Sequence, residues 1–267
     1  MKKVIYILFA FILSCGIVQA QNLVIVHVND THSHNEPIRG GDQEGLGGAI
    51  EIAAHVDSVR AAAGKNNVLL LHAGDWSQGS SYFTKFGGEI EDKILNATGF
   101  DVLCLGNHEF DNGIDALAAR LKKIKAPVVC SNYDFPSPLD KQVEKYVIVI
   151  KGNFRIGIYS ILCDLGDMVD RRLTSGLTKL DDVETANEMA KFLKVEKKCD
   201  IVIALTHDGF REDCELVKQI SNTDIVIGGH SHTELKGFEY VKNKNGKEIP
   251  IIQDGCWGLN VGRINVY

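Results

Sequence analysis

Aspartate, asparagine and histidine residues follow five of the apolar, strand-like segments of this sequence. In chain order these residues are Asp30 and His32, Asp75, Asn107 and His108, His207, and His230 with His232. A single histidine after a strand is most often a helix cap, a surface residue or a core residue. Carboxylate, amide and imidazole groups are nevertheless the ligands that suit divalent first-row metals, and ordinary loops do not place them after five strands. The repeated pattern therefore predicts a metal site.

The segments around these residues predict alternating strands and helices. Strand-like segments lie at 23–28, 67–72, 101–106, 146–150, 155–161, 200–205 and 224–228, and helix-like segments at 47–62, 89–97, 115–124, 182–197 and 212–220. Strands that alternate with helices of this length indicate a layered α/β domain. Two stretches, 146–161 and 236–253, instead predict hairpins, so the sheets are expected to be mixed. In open α/β sheets, ligands bind beyond the carboxyl ends of the strands, which is where the polar residues fall.

Composition excludes several classes of partner. The chain has 267 residues and a formal net charge of −6, so no basic footprint suggests a nucleic acid polymer or an anionic membrane surface as its partner. An acidic protein that handles anionic substrates needs a local positive charge, and metal ions would supply one. The cysteines include no CxxC pair, so no zinc-thiolate site is predicted.

The N-terminus predicts export. Residues 1–20 contain Lys2 and Lys3, an apolar stretch and then small residues, which is typical of a signal peptide cleaved before Gln21. A lipoprotein site at Cys15 is the alternative. No second hydrophobic segment follows, so no transmembrane segment is predicted. We therefore expect one domain over residues 21–267, in the bacterial periplasm or at the cell surface.

The ordered set of motifs resembles the calcineurin-like metallophosphoesterases, and within them the 5′-nucleotidase branch. The matching stretches are NDTHSH from Asn29, AGDWSQGS from Ala73, GNHEFDNG from Gly106 and IGGHSHT from Ile227. The resemblance covers essentially the whole chain after the signal segment. It implies a four-layer α-β-β-α sandwich of mixed sheets.

The same resemblance implies two divalent metal ions and a role for each motif residue. Asp30, His32 and His232 would hold the first ion, Asn107, His207 and His230 the second, and Asp75 would bridge them. His108 would face the substrate phosphate, and Asp111 would hold His108. Zinc, manganese, cobalt and iron all suit these ligands, so the identity of the metal stays open.

The activity implied is hydrolysis of nucleoside 5′-monophosphates by a metal-activated hydroxide that attacks phosphorus. A 2′,3′-cyclic-nucleotide phosphodiesterase or 3′-nucleotidase is the alternative within enzymes, and a non-catalytic metal- or nucleotide-binding subunit is the alternative outside them. Full-length members of the family carry a C-terminal domain that grips the nucleotide, whereas this sequence stops at Tyr267. Either a separate polypeptide supplies that domain, or this chain works alone with looser specificity.

Four other residues receive simpler expectations from the sequence. His27 should lie in the core or on a sheet face, His34 in a loop, and Glu109 should support its own loop. His72 departs from the family, whose members commonly have aspartate at this position.

Overall fold

The computed structural model describes residues 23–166 and 168–267. The predicted signal peptide, its cleavage site and Cys15 lie outside the described residues. Within the described residues, no helix is both long and apolar enough to cross a bilayer.

Strands and helices alternate along most of the described chain. The strands are β1 (Leu23–Val28), β2 (Val68–His72), β3 (Val102–Cys104), β4 (Val128–Val129), β5 (Tyr133–Asp134), β6 (Val143–Glu144), β7 (Tyr146–Lys151), β8 (Phe154–Tyr159), β9 (Thr178–Lys179), β10 (Ile201–Leu205), β11 (Ile225–Ile227), β12 (Glu239–Lys242), β13 (Glu248–Ile252) and β14 (Gly262–Val266). The helices are α1 (Ala49–Ala63), α2 (Ser81–Phe86), α3 (Glu89–Thr98), α4 (Gly113–Leu121), α5 (Asp182–Lys191) and α6 (Phe210–Val217), and a π-helical turn at Phe192–Glu196 continues α5. The sequence did not predict α2, a short helix whose first turn is capped by the side chain of Ser80.

Two mixed sheets carry the fold. The first has the strand order β14-β1-β2-β3-β4-β6 and the second β12-β13-β11-β10-β8-β7. Neighbouring strands pair in parallel except β14 with β1, β12 with β13 and β7 with β8, which are antiparallel. The last two antiparallel pairs are the predicted hairpins, which are confirmed.

The side chains of each central strand alternate between two apolar layers. In β2, Leu69 and Leu71 face the cluster shared by the two sheets, whereas Val68 and Leu70 pack with residues of α1. In the second sheet, β10 divides its residues in the same way between the shared cluster and a cluster that contains residues of α5 and α6. This alternation follows from the two-residue period of a strand. The predicted four-layer α-β-β-α sandwich is confirmed.

Candidate metal centre

The predicted site residues meet where the carboxyl ends of the two sheets converge. Three groups of side chains each bring their ligand atoms within 4.8 Å of one another: Asp30 with His32 and His232, His32 with Asp75 and His108, and Asp75 with His207 and His230. Asn107 joins the third group, since its Oδ1 lies 3.0 Å from Nδ1 of His230. The groups share His32 and Asp75, so they form one continuous cluster.

The first part of the cluster surrounds Asp30, which follows β1. Nε2 of His232 lies 3.3 Å from Oδ1 of Asp30, and Nε2 of His32 lies 3.7 Å from the same oxygen. The two Nε2 atoms are only 2.9 Å apart. Imidazole nitrogens and a carboxylate oxygen that converge in this way are suited to a cation between them.

Asp75, which follows β2, occupies the middle of the cluster. Its Oδ2 lies 3.0 Å from Nε2 of His207 and 3.8 Å from Nε2 of His32, and so contacts residues on both sides. Nδ1 of His207 donates a hydrogen bond of 2.7 Å to the carbonyl oxygen of Ala73. This bond fixes the ring so that Nε2 faces Asp75, which is the usual arrangement for a metal-binding histidine.

The charges of the cluster are strongly coupled. Burial alone would raise the pKa of Asp30 and Asp75, but the neighbouring charge of His207 holds the pKa of both carboxyl groups below the usual value. Burial opposes ionisation of His207 as well, yet Asp75 and Asp30 raise its pKa to about 10. A hydrogen bond to Asp30 raises the pKa of His232 to about 10. Buried carboxylates that require neighbouring positive charge would be satisfied equally by divalent cations.

The backbone is strained at most of the candidate ligands. Positive φ angles occur at Asp30 (49°), His32 (49°), Asp75 (54°), His230 (77°) and His232 (52°). Such a conformation costs of the order of 1–3 kcal/mol for a residue other than glycine, and it tends to cluster at functional sites. Hydrogen bonds between the loops hold it in place, because Asp30 N–H donates to Gly74 O and His32 N–H donates to Asp75 O.

Glu109 has a larger part in the site than the sequence suggested. Its carboxylate accepts hydrogen bonds from the backbone N–H groups of Asp75, Trp76, Ser77 and Gly106, and from the Ser77 hydroxyl. Glu109 thereby ties the loop after β2 to the loop after β3. Its closeness to Asn107 in the sequence was the only signal available, since the sequence does not tell which way the side chain points.

His108 lies at the rim of the cluster. Its Nδ1 is 2.8 Å from Oδ2 of Asp111, and its backbone N–H donates to Oδ1 of Asp75 at 2.9 Å. Burial lowers the pKa of His108, but the hydrogen bond to Asp111 and the charge of Asp75 outweigh burial, so that the pKa is raised. The His108 side chain is 29% exposed, so the ring is accessible from solvent.

The remaining histidines lie outside the cluster. His27 is buried in β1 with Nδ1 2.6 Å from Oδ2 of Asp254, as expected for a core residue. His72 is buried, and its Nε2 lies 3.1 Å from the Thr31 hydroxyl. His34 stacks on Trp257, a contact that the sequence did not predict.

The sandwich and the cluster together define a layered α/β domain with a candidate centre for divalent metal ions. The chain belongs to the calcineurin-like phosphoesterase family, whose model matches residues 23–234. The family resemblance inferred from the motifs is therefore confirmed, and divalent metals are what this family uses.

Proteins similar to this chain include nucleotidases from a snake and from bacteria. The snake venom 5′-nucleotidase of Naja atra is 28% identical over 91% of this chain and 50% of its own length. The trifunctional nucleotide phosphoesterase protein YfkN of Bacillus subtilis is 32% identical over 92% of this chain and 18% of its own length. The crystal structure of a 5′-nucleotidase precursor from Thermus thermophilus superposes with a TM-score of 0.85 and 31% identity, covering 92% of this chain and 51% of that one. The chain thus spans about half the length, or less, of these relatives.

Proposed function

We propose that this chain is an exported phosphomonoesterase that hydrolyses nucleoside 5′-monophosphates at a centre of two divalent metal ions. The observation that supports the proposal best is the continuous cluster itself, in which Asp75 lies between two groups of ligands and His108 borders them. One ion would be held by Asp30, His32 and His232. The other would be held by Asn107, His207 and His230, and Asp75 would help to hold both. When bound, such ions supply an activated water and offset the negative charge of the phosphoryl oxygens.

The residues of the chain would position these reactants. Asp75 would help to hold both ions, since its Oδ2 lies near Nε2 of His207 and of His32 while its Oδ1 accepts a hydrogen bond from the His108 backbone N–H. His207 is kept in one tautomer by Ala73, and Glu109 keeps the loop of Asp75 in register with that of Asn107. Pre-set geometry of this kind is the protein's main contribution to phosphoryl transfer.

His108 would act on the substrate itself. Asp111 bonds to Nδ1, so Nε2 is left to contact the phosphate or to donate a proton to the leaving oxygen. The raised pKa favours the protonated ring that both roles require.

The nucleotide specificity is proposed from the relatives, several of which are named 5′-nucleotidases. The test is a substrate screen on protein stripped of metal and reloaded with zinc, manganese, cobalt or iron. We expect two ions per chain and release of phosphate from AMP. Activity confined to 2′,3′-cyclic AMP and bis(p-nitrophenyl) phosphate would point to the phosphodiesterase alternative. Failure of the loaded protein to hydrolyse any phosphoester would indicate a binding subunit.

We also propose that residues 21–267 form one catalytic domain after removal of residues 1–20. Mass spectrometry of protein purified from the producing cells should give Gln21 as the first residue, whereas a diacylated Cys15 would establish the lipoprotein alternative. A separate polypeptide that supplies a nucleotide-binding domain should co-elute with the protein and lower its KM for AMP.

A further inference from the structure

An aromatic pair lies beside the candidate metal centre. The rings of His34 and Trp257 stack with centroids 4.7 Å apart and an angle of 18° between their planes. Both residues are anchored to the first part of the cluster. The backbone N–H of Trp257 donates to Asp30 O at 2.7 Å, and Nδ1 of His34 lies 2.9 Å from His32 O. The pair is therefore held at a fixed position relative to Asp30 and His32.

The conformation of Trp257 is unusual for a large side chain. Its φ angle is 61°, within a loop where Gly255 and Gly258 also have positive φ angles. A bulky residue seldom adopts this conformation, and strain of this kind is typical of functional positions. Trp257 also leaves 36% of its surface exposed, whereas Trp76, the other tryptophan, is 1% exposed. A strained backbone conformation thus presents the indole ring of Trp257 to solvent beside the candidate metal centre.

We propose that Trp257, backed by His34, is the stacking surface for the base of a nucleotide whose phosphate lies at the metal centre. This inference rests on the proposed function and names the residue that would distinguish nucleotides from other phosphomonoesters. Every base has a flat aromatic face, so stacking favours nucleotides as a class without selecting one base by hydrogen bonding.

Kinetics of Trp257→Ala with two substrates test the inference. Stacking on an aromatic side chain is worth about 1–3 kcal/mol per base, which corresponds to a change in affinity of roughly 5- to 150-fold. We expect KM for AMP to rise within this range and kcat/KM for ribose 5-phosphate to stay within about twofold. Trp257→Phe should restore most of the affinity for AMP. Tyr240→Ala is the matched control, because Tyr240 is 56% exposed on β12 and is not among the candidate ligands.

Fluorescence gives a readout that does not depend on turnover. The chain has two tryptophans, and the buried Trp76 provides a constant background. Adenosine, which carries no phosphate, should quench the emission of Trp257, whereas ribose should not. The quenching should disappear in Trp257→Phe.

Two outcomes would overturn the inference. One is an equal loss of kcat/KM for AMP and ribose 5-phosphate in Trp257→Ala, which would indicate a purely structural role. The other is unchanged emission at adenosine concentrations up to its solubility. If AMP is not hydrolysed at all, the proposed function fails, but the adenosine titration still decides whether Trp257 binds a base.

Discussion

Two buried acidic residues lie beneath the candidate site, one under the loops of each sheet, and they differ in the hydrogen bonds that they accept. Glu109 is 2% exposed beneath the loops of the first sheet, and Asp213 is 0% exposed beneath those of the second. Glu109 accepts five hydrogen bonds, four of them from backbone N–H groups. Neither oxygen of Asp213 has a hydrogen-bond partner within the part of the chain that the structure describes.

The packing around Asp213 accounts for its raised pKa. Asp213 lies in α6 against Gly228, where an added Cβ would overlap its carboxyl group and would lie 3.3 Å from the Thr206 hydroxyl. These two neighbours come just before the candidate ligands of the second sheet. Burial raises the pKa of Asp213 well above its usual value. Burial raises the pKa of Glu109 as well, so the two acids differ in their hydrogen bonds. One half of the site is held by a carboxyl group that accepts five hydrogen bonds, whereas the other half is packed around a carboxyl group that accepts none from the described residues.

The largest expected effect separates a residue that would act on the substrate from one that would bind metal. His108→Ala should lower kcat for AMP by about 10²- to 10⁴-fold, the usual range for general acid–base groups, while the metal content stays near that of the parent. His230→Ala, in the second sheet's half, should lose metal together with activity. Steady-state kinetics and metal analysis on the same preparations check both. Loss of metal with little change of turnover in His108→Ala would contradict the assignment.

The second prediction concerns the stability that Glu109 provides. Glu109→Gln replaces one acceptor oxygen by an NH₂ group that faces backbone donors, so two backbone N–H groups lose their partner. We expect the free energy of unfolding to fall by about 3 kcal/mol or more, since buried bonds to a charged group are worth about 1.5–3 kcal/mol each. Urea unfolding at pH 7 measures the change. A loss below about 1 kcal/mol, within the range of a single ordinary bond, would mean that the network is not what holds these loops.

The sequence could predict the candidate metal ligands better than the side chains that support them. Residues that follow strands were predictable because parallel strands share one carboxyl edge and apolar runs mark where each strand ends. The direction of the Glu109 side chain was not predictable, because a short turn at His108–Phe110 rotates it back toward the preceding loops. The contact of α6 with Gly228, and that of His34 with Trp257, join residues far apart in sequence, so only tertiary packing brings them together.

The third prediction is that Asp213→Asn stabilises the protein near neutral pH. The folded-state pKa is raised, so above the ordinary carboxyl pKa of about 3.8 the unfolded chain has released a proton that the folded chain still holds. Stability contributed by this group therefore falls as pH rises. We expect the variant to gain about 2–3 kcal/mol at pH 7, on the scale of the penalty for an unpaired buried polar group, and much less at pH 4. Urea unfolding of metal-free parent and variant at both pH values gives the difference. Destabilisation of equal size at both pH values would contradict the prediction.

The smallest expected effect concerns His72, which lies in the first sheet. Its pKa is shifted downwards, whereas that of Asp213 is shifted upwards. Burial lowers its pKa from 6.5 to about 3, so between these values the unfolded chain binds a proton that the folded chain does not. Stability contributed by His72 is therefore lost as pH falls below 6.5. His72→Gln keeps a polar group near the Thr31 hydroxyl and should change the free energy of unfolding little at pH 7. At pH 5 it should be more stable than the parent by about 1–2 kcal/mol, because each pH unit of linkage is worth about 1.4 kcal/mol. If the differences measured for His72→Gln and Asp213→Asn slope in the same direction with pH, the opposite pKa shifts assigned to these two residues are wrong.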